Sequence, residues 1–233
     1  MPSLNPLTES FLSAPKSRKA MDFLLFSFFG ITCKDTPADI LTAAMRRAYR
    51  DAASHVLSLC EGVDKERTKA EAMVKIRDFV DALSPAMSQE DYDQQHQALC
   101  RQLVESYQGQ QLCTPERPFS YGIAQKWVNM TVKYLYLFYW ILRDDAPSFC
   151  WEYGKTVNQL SPLLHIPIDS YILTAAEKQL GIPPLLCAWS KLHCYQDYLD
   201  YQKSIRENAA LSRANMTPID WEMDAWIAIA KTK

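Results

Sequence analysis

The most apolar helical stretch of the chain is Tyr121–Leu142, which reads YGIAQKWVNMTVKYLYLFYWIL. At about 100° per residue its apolar side chains fall on one continuous stripe, formed by Ile123, Trp127, Met130, Tyr134, Leu137, Phe138 and Ile141. A second stripe is polar in its first half and aromatic in its second, and contains Lys126, Asn129, Lys133, Tyr136 and Trp140. This pattern predicts a buried central helix that carries two lysines.

Helix-start signals occur on both sides of this stretch. Thr36 before Pro37, Ser88 before Asp91, and Thr217 near the end of the chain are all typical N-cap residues. The periodic segments predict helices at about 18–29, 36–59, 65–83, 88–107, 121–142, a segment ending near 181, 183–211, and from 217 onward. No stretch shows sustained apolar–polar alternation, and no Asn-Gly or Asp-Gly turn occurs. We therefore predict a compact all-α domain with about eight or nine helices.

The turn-rich stretch 108–118 predicts a soft boundary within this helical domain. Residues 1–17 are expected to be a loose N-terminal lead-in, followed by an N-terminal helical lobe at 18–107. The C-terminal helical lobe, 118–233, carries the candidate site. The first helix of the N-terminal lobe is expected to bury Met21, Leu24, Leu25 and Phe28.

Length, composition and charge exclude several classes of protein. The chain has 233 residues, of which 48% are hydrophobic, so it is neither disordered nor collagen-like. Its 25 Lys and Arg residues against 27 Asp and Glu give a formal charge of −2, which provides no broad basic surface for nucleic acid. With only six glycines it has no Gly-rich phosphate loop. Its longest apolar runs are far shorter than the roughly 20 residues that span a bilayer, so we predict no membrane-spanning segment.

The cysteines predict a reducing compartment. There are seven of them, an odd number with scattered spacing and no Cys-x-x-Cys pair. This arrangement disfavours both a disulfide framework and a thiolate zinc site. We therefore predict free thiols, a cytoplasmic location, no metal site and no cofactor.

Lys126 and Lys133 are the candidate reactive groups of the central helix. They are seven residues apart, so they share one helix face at a distance of roughly 10 Å. Apolar and aromatic walls around a lysine, and a second cation nearby, favour its neutral amine. A neutral amine is a nucleophile toward carbonyl-like carbons such as C1′ of a damaged nucleotide. The alternative is that both lysines simply extend from a buried helix to solvent.

Asp169 is the candidate carboxylate. It stands in the stretch Leu164-His165-Ile166-Pro167-Ile168-Asp169-Ser170, and Pro167 disfavours helix for the residue before it. Asp169 is therefore expected at a helix start, where backbone amides and the helix dipole stabilise a negative charge. Such a carboxylate would stabilise positive charge on a sugar or position a water molecule. The alternative is an ordinary N-cap.

A lysine on a buried helix, followed by Pro-x-Asp at the start of a later helix, resembles the helix–hairpin–helix DNA glycosylase superfamily. The segment Gln125-Lys126-Trp127-Val128-Asn129-Met130-Thr131-Val132-Lys133-Tyr134 is similar to the lysine helix of the archaeal 8-oxoguanine DNA glycosylases. The segment Ile166-Pro167-Ile168-Asp169 is similar to their Pro-x-Asp element. The resemblance implies an all-α fold that acts on a base flipped out of DNA. It also implies that Lys126 is the Schiff-base nucleophile and Asp169 the catalytic carboxylate.

The predicted nucleic-acid- or ligand-binding residues are Gln125, Asn129, Lys133, His165, Tyr171 and Trp189. The aromatic ladder Tyr195, Tyr198 and Tyr201 either stacks on bases or packs in the core. The cluster Arg46, Arg47 and Arg50 either contacts phosphate or forms a solvated face.

Two other functions are compatible with the same residues. The acidic balance and the many tyrosines favour a non-enzymatic helical module that binds a protein partner. An aromatic-lined cavity beside Lys126 would instead bind a small ligand. DNA is the partner expected from the resemblance.

Overall fold

The computed structural model of the chain describes residues 15–53, 64–108, 119–143, 151–212 and 216–232. Within these ranges the protein contains nine α-helices and no strand, which confirms the predicted all-α class. We number them in chain order: α1 Pro15–Phe29, α2 Pro37–Ala53, α3 Lys65–Ala82, α4 Gln89–Gln108, α5 Tyr121–Leu142, α6 Trp151–Gln159, α7 Ser170–Ala175, α8 Tyr195–Ser212 and α9 Pro218–Ala230.

Local signals explain where most of these helices begin. Thr36 and Ser88 exchange hydrogen bonds with the residue three positions later, which satisfies free N–H groups of the first turns of α2 and α4. Thr217 accepts a hydrogen bond from the backbone N–H of Asp220 at the start of α9. The last predicted turn of α2, beyond residue 53, and the connector 109–118 lie outside the described residues.

Helix α5 is the centre of the structure. Its most extensive packing is against α2, where the fully buried indole of Trp127 donates a hydrogen bond to the backbone carbonyl of Met45 at 2.9 Å. One hydrophobic core includes residues from both sides of the 108–118 segment. The N-terminal lobe thus supplies a wall for the helix that carries Lys126.

The inward face of α1 differs from the prediction. Leu25 is buried and Met21 is partly buried, but Leu24 and Phe28 are more than half exposed. The ring of Phe29 packs edge-to-face against Tyr134 and Phe138 of α5, at centroid distances of 5.0 and 4.8 Å. Positions 21, 25 and 29 are one helical row, whereas 24 and 28 lie about 100° away from it.

The predicted helix at 183–211 begins only at Tyr195. Residues 183–194 are mostly irregular, with a single 3₁₀ turn at Trp189–Lys191. This turn packs against the N-terminus of α5, where the hydroxyl of Ser120 donates a hydrogen bond to the backbone carbonyl of Ser190 at 2.7 Å. A Cβ atom at Gly122 would lie 1.6 Å from the carbonyl oxygen of Trp189. Tertiary packing therefore overrides the helical pattern here, and a glycine permits the close approach.

The segment that contains Asp169 enters a short helix, as predicted. Helix α7 continues into a π-helical turn at Ala176–Leu180 and ends at Gly181, which has a left-handed φ of 68°. Left-handed backbone favours glycine, which explains the end of the helix at this position.

No helix in the described part of the chain is long and apolar enough to cross a membrane. Over the same residues no group of three or more His, Cys, Asp or Glu side chains is placed to hold a metal ion. The described cysteines, Cys33, Cys100, Cys187 and Cys194, are free thiols.

Candidate functional site

Lys126 and Asp169 meet in an ion pair, with Nζ 3.1 Å from Oδ2. Lys126 comes from the second turn of α5, and Asp169 is the N-cap of α7. The other carboxylate oxygen, Oδ1, accepts hydrogen bonds from the backbone N–H groups of Tyr171 and Ile172 at 2.9 and 3.1 Å. Both side chains keep just over a tenth of their surface exposed. The cap therefore fixes the carboxylate, and one of its oxygens remains available to the amine.

A second ion pair lies two turns along the same face of α5. Nζ of Lys133 is 2.6 Å from Oε2 of Glu222, which comes from α9. Burial raises the pKa of the Glu222 carboxyl above its ordinary value, while Lys133 acts in the opposite direction. The two lysines that the sequence places on one face thus each have a carboxylate partner from a different helix.

Aromatic rings form two walls of this region. Nζ of Lys126 lies over the indole of Trp189, 4.6 Å from the ring centroid. The rings of Tyr171 and Trp226 are stacked, with centroids 5.2 Å apart. Lys126 is therefore held between a carboxylate and an aromatic face.

These groups open into a cavity of 440 Å³ between α2, α5, α7 and α9. Four cationic and three carboxylate side chains line it. Its lining residues are Arg47, Arg50, Asp51, Lys126, Met130, Lys133, Tyr134, Leu137, Asp169, Tyr171, Glu222 and Trp226. Arg50 and Trp226 are exposed, so the cavity reaches the surface at these two side chains.

The N-terminal wall of the cavity is itself charged. Arg47 forms an ion pair with Asp51 at 3.4 Å, and Asp51 accepts a hydrogen bond from the hydroxyl of Tyr134. Burial, with Asp51 as a second cause, raises the pKa of the Tyr134 hydroxyl. Arg46 faces a separate cavity with residues of α3, so the predicted arginine cluster is divided.

The structure therefore brings together Lys126, Asp169, Lys133 and Tyr171 of the predicted site, with Trp189 against Lys126. It places the other three predicted binding residues, Gln125, Asn129 and His165, in the core, where at most 1% of each is exposed. These three side chains do not line the cavity, and their polar groups bind other protein atoms. Tyr195, Tyr198 and Tyr201 are also buried, which favours core packing for the aromatic ladder.

Asp51, Glu222 and Trp226 line the cavity but were not predicted as site residues. Glu222 carries a recognisable signal, because it stands at helical spacing from Ile219, Ala225 and Ile229, all of which are buried. A carboxylate on the inward stripe of a helix needs a buried cationic partner. Trp226 has no comparable signal, since a single aromatic residue at the edge of the buried stripe of a helix is common in ordinary cores.

Scans against protein-family models, curated proteins and solved structures found no match to this chain.

Proposed function

We propose that this protein is a DNA N-glycosylase with lyase activity, in which Lys126 attacks C1′ of a nucleotide flipped out of the duplex. The observation that carries this proposal is the contact of 3.1 Å between Nζ of Lys126 and Oδ2 of Asp169 at a cavity of 440 Å³. A cavity of this size is within the range of sites that enclose a small organic ligand. An amine beside a carboxylate at its wall is the pair that base excision requires.

The proposed reaction proceeds from the pair as it stands. Asp169 accepts a proton from the ammonium of Lys126, and the amine then forms a bond to C1′. The bond from C1′ to the base nitrogen breaks, the base leaves with the electron pair, and the proton held by Asp169 is available to it. As the proton passes from Asp169 to the departing base, the carboxylate is restored and stabilises the positive charge that develops on the sugar.

The same covalent bond leads to the imine from which the lyase reaction removes a C2′ proton and expels the 3′-phosphate. The nitrogen of the aminosugar loses a proton, and the bond from C1′ to O4′ opens with protonation of O4′. The product is an imine between Lys126 and the sugar. Borohydride reduces this imine to a stable amine, so that the protein becomes permanently attached to the DNA.

The rest of the cavity supports a nucleotide as the ligand. The stacked pair Tyr171 and Trp226 offers an aromatic surface beside the reactive amine. Arg50 is exposed at the rim, where a guanidinium can bind a backbone phosphate. Four Lys and Arg side chains against three carboxylates line the cavity, so its lining has a positive balance although the overall charge is −2.

The test is borohydride trapping on duplex oligonucleotides that contain either 8-oxoguanine or an abasic site, with undamaged duplex as the reference. We expect a covalent complex with wild-type protein. We expect none with Lys126→Ala or Lys126→Gln, because a methyl group or an amide cannot form the imine. Asp169→Asn should reduce release of the base more than trapping at the abasic site, where no base has to leave.

The matched control is Lys178→Gln, which removes an exposed lysine that does not line the cavity. This variant should trap as efficiently as the wild type, and all variants should keep the helical circular dichroism spectrum. The proposed enzymatic activity is excluded if the wild-type protein neither forms a covalent complex with the DNA nor shows salt-dependent DNA binding. That outcome would favour the non-enzymatic interaction module.

A further inference from the structure

The three residues before Asp169 are held by two glutamine side chains. The side-chain amide of Gln125 donates a hydrogen bond to the carbonyl of Ile168 at 2.9 Å and accepts one from the backbone N–H of Ile168 at 3.2 Å. In the same way, the amide of Gln202 donates to the carbonyl of Ile166 at 2.7 Å and accepts from its N–H at 3.1 Å. Each glutamine side chain thus binds both the N–H and the carbonyl of one backbone residue, as a neighbouring strand would.

The residue between them, Pro167, has no N–H that needs a partner. All the buried backbone N–H groups of 166–168 are therefore satisfied without any strand or helix. The irregular segment leading to Asp169 is held in place by side chains from α5 and α8.

Gln125 has a special position in this arrangement. It precedes Lys126 on α5, and it binds Ile168, which precedes Asp169. One side chain therefore links the two backbone segments that carry the amine and the carboxylate. Any change in its hydrogen bonds would alter the position of Asp169 relative to Nζ of Lys126.

The orientation of the Gln125 amide is itself determined by buried neighbours. Its Oε1 accepts a second hydrogen bond, from Nδ2 of Asn129 at 3.0 Å, and its Nε2 also donates to the carbonyl of Gly122 at 3.0 Å. Oδ1 of Asn129 lies 2.9 Å from Nε2 of His96. An amide oxygen only accepts, so His96 carries its proton on Nε2 and holds Asn129 in this orientation.

We infer that Gln125 is a positioning residue for the Lys126–Asp169 pair, and that its two bonds to Ile168 set the distance between amine and carboxylate for base excision. Gln125 is 99% buried and does not line the cavity, so it acts through Asp169 and not on the DNA. The inference rests on the proposed glycosylase function for its catalytic consequence. The claim that the two bonds to Ile168 set the distance between the Lys126 amine and the Asp169 carboxylate does not depend on that function.

The deciding variant is Gln125→Glu, which keeps the shape of the side chain. When protonated, a carboxylic acid has one donor and one acceptor and can form both bonds to Ile168; when ionised, it has no donor for the Ile168 carbonyl. We expect the single-turnover rate of base release to fall on the order of 100-fold at about pH 8 and to recover toward the wild-type rate at about pH 5.5. Gln125→Leu, which lacks both bonds at every pH, should show no such recovery.

The matched control is Gln202→Glu, which makes the same chemical change in the other glutamine. Gln202 binds Ile166, which is two residues farther from Asp169 along the chain than Ile168. This variant should cost comparable stability, because both side chains are at least 98% buried. It should reduce base release much less than Gln125→Glu. Equal loss of activity in the two variants, or a Gln125→Glu rate with the same pH profile as the wild type, would overturn the inference.

A second readout does not depend on DNA. The rate at which Nζ of Lys126 is acylated by acetic anhydride, followed by mass spectrometry, reports its pairing with Asp169, and Asp169→Asn gives the rate for the broken pair. Gln125→Glu should approach that rate at about pH 8 and the wild-type rate at about pH 5.5. If the wild type does not trap but this shift is present, the proposed function fails and the positioning stands. If the wild type traps but the shift is absent, the positioning fails.

Discussion

The buried polar groups on the two faces of α5 have different kinds of partner. On the cavity face, Lys126 and Lys133 form ion pairs with Asp169 and Glu222. On the core face, Asn129 lies among His96, His165 and Tyr198 in a network of neutral side chains. Both faces are polar, but the charged residues of α5 itself, Lys126 and Lys133, both lie on the cavity face.

Solvent access explains this difference. The histidines are fully enclosed, and burial lowers the pKa of both His96 and His165 because it disfavours the charged imidazolium. Even Asp93, which accepts from His165 at 2.8 Å, does not raise the pKa of His165 to its ordinary value. The lysines lie beside an opening, and each has a carboxylate partner within 3.1 Å.

The core network is also directional. Nε2 of His165 faces the carboxylate of Asp93, so its proton is on that nitrogen and Nδ1 accepts from the hydroxyl of Tyr198. Burial acts to raise the pKa of Asp93, but His165 and Arg206 hold it below its ordinary value. The one charge of the network therefore lies at its end, 3.7 Å from the guanidinium of Arg206. The difference between the faces separates the charged side chains of α5 beside the cavity from its neutral side chains in the core.

The largest expected effect is on the charged face. Lys133→Met leaves the Glu222 carboxylate buried without its cation, and we expect a loss of about 3–5 kcal/mol in the free energy of unfolding near neutral pH. The folded-state pKa of Glu222 is raised above its ordinary value of 4.5 and would rise further in this variant. Its stability deficit should therefore shrink as the pH falls from about 7 to about 5, because the folded protein takes up the proton first.

Urea unfolding at both pH values measures this effect. The double variant Lys133→Met with Glu222→Met should recover most of the loss, since neither charge is then buried. A Lys133→Met deficit that is independent of pH would contradict the assignment of Glu222 as an ionised group in the wild type.

On the core face, Asn129→Leu should destabilise the fold by roughly 2–3 kcal/mol. The substitution leaves the Nε2 proton of His96 without its acceptor and removes one of the two hydrogen bonds to the carbonyl of Ile166. Chemical denaturation measures the loss, and Asn208→Leu on α8, at a half-buried position, should cost less than about 0.5 kcal/mol. Equal costs at the two positions would show that the network is not a stabilising unit.

The histidines predict a pH dependence of stability. Their pKa values in the folded state are lowered from the ordinary 6.5, so the unfolded chain binds more protons below that value and stability falls as the pH decreases. Each histidine should contribute up to about 1.4 kcal/mol per pH unit below about pH 6. Urea unfolding from about pH 7.5 to about pH 5 should show this slope.

The variant His96→Gln isolates the contribution of one histidine, because the opposite effect of Glu222 is the same in both proteins. Its slope should be smaller than that of the wild type by up to about 1.4 kcal/mol per pH unit. Identical slopes would mean that burial does not lower the pKa of His96 in the folded protein.

The smallest expected effect concerns the aromatic wall of the charged face. Trp189→Leu should cost about 0.5–1 kcal/mol more than Trp189→Phe, because leucine has no ring to place under the ammonium of Lys126. Repeating both substitutions in a Lys126→Met background should remove that difference. If the difference persists without the ammonium, the indole stabilises the site by packing alone.

The helices can be recognised from the sequence alone, and so can Lys126 and Asp169 as candidate site residues. Capping residues such as Thr36, Ser88 and Thr217, and the apolar stripe of α5, act within one or two helical turns, so they can be recognised in a linear pattern. Lys126 and Asp169 stand out for equally local reasons: a lysine in the most apolar helix, and an aspartate after proline at a helix start.

Only the tertiary structure decided which side chains meet. Lys126 and Asp169 are 43 residues apart, and their contact depends on how α7 packs against α5. The same packing brought Glu222 and Trp226 into the cavity, turned Gln125 and Asn129 away from it, and replaced the predicted helix at 183–194 with a turn on Gly122. Contacts between distant segments depend on the arrangement of whole helices, and residue type and periodicity contain little information about that arrangement.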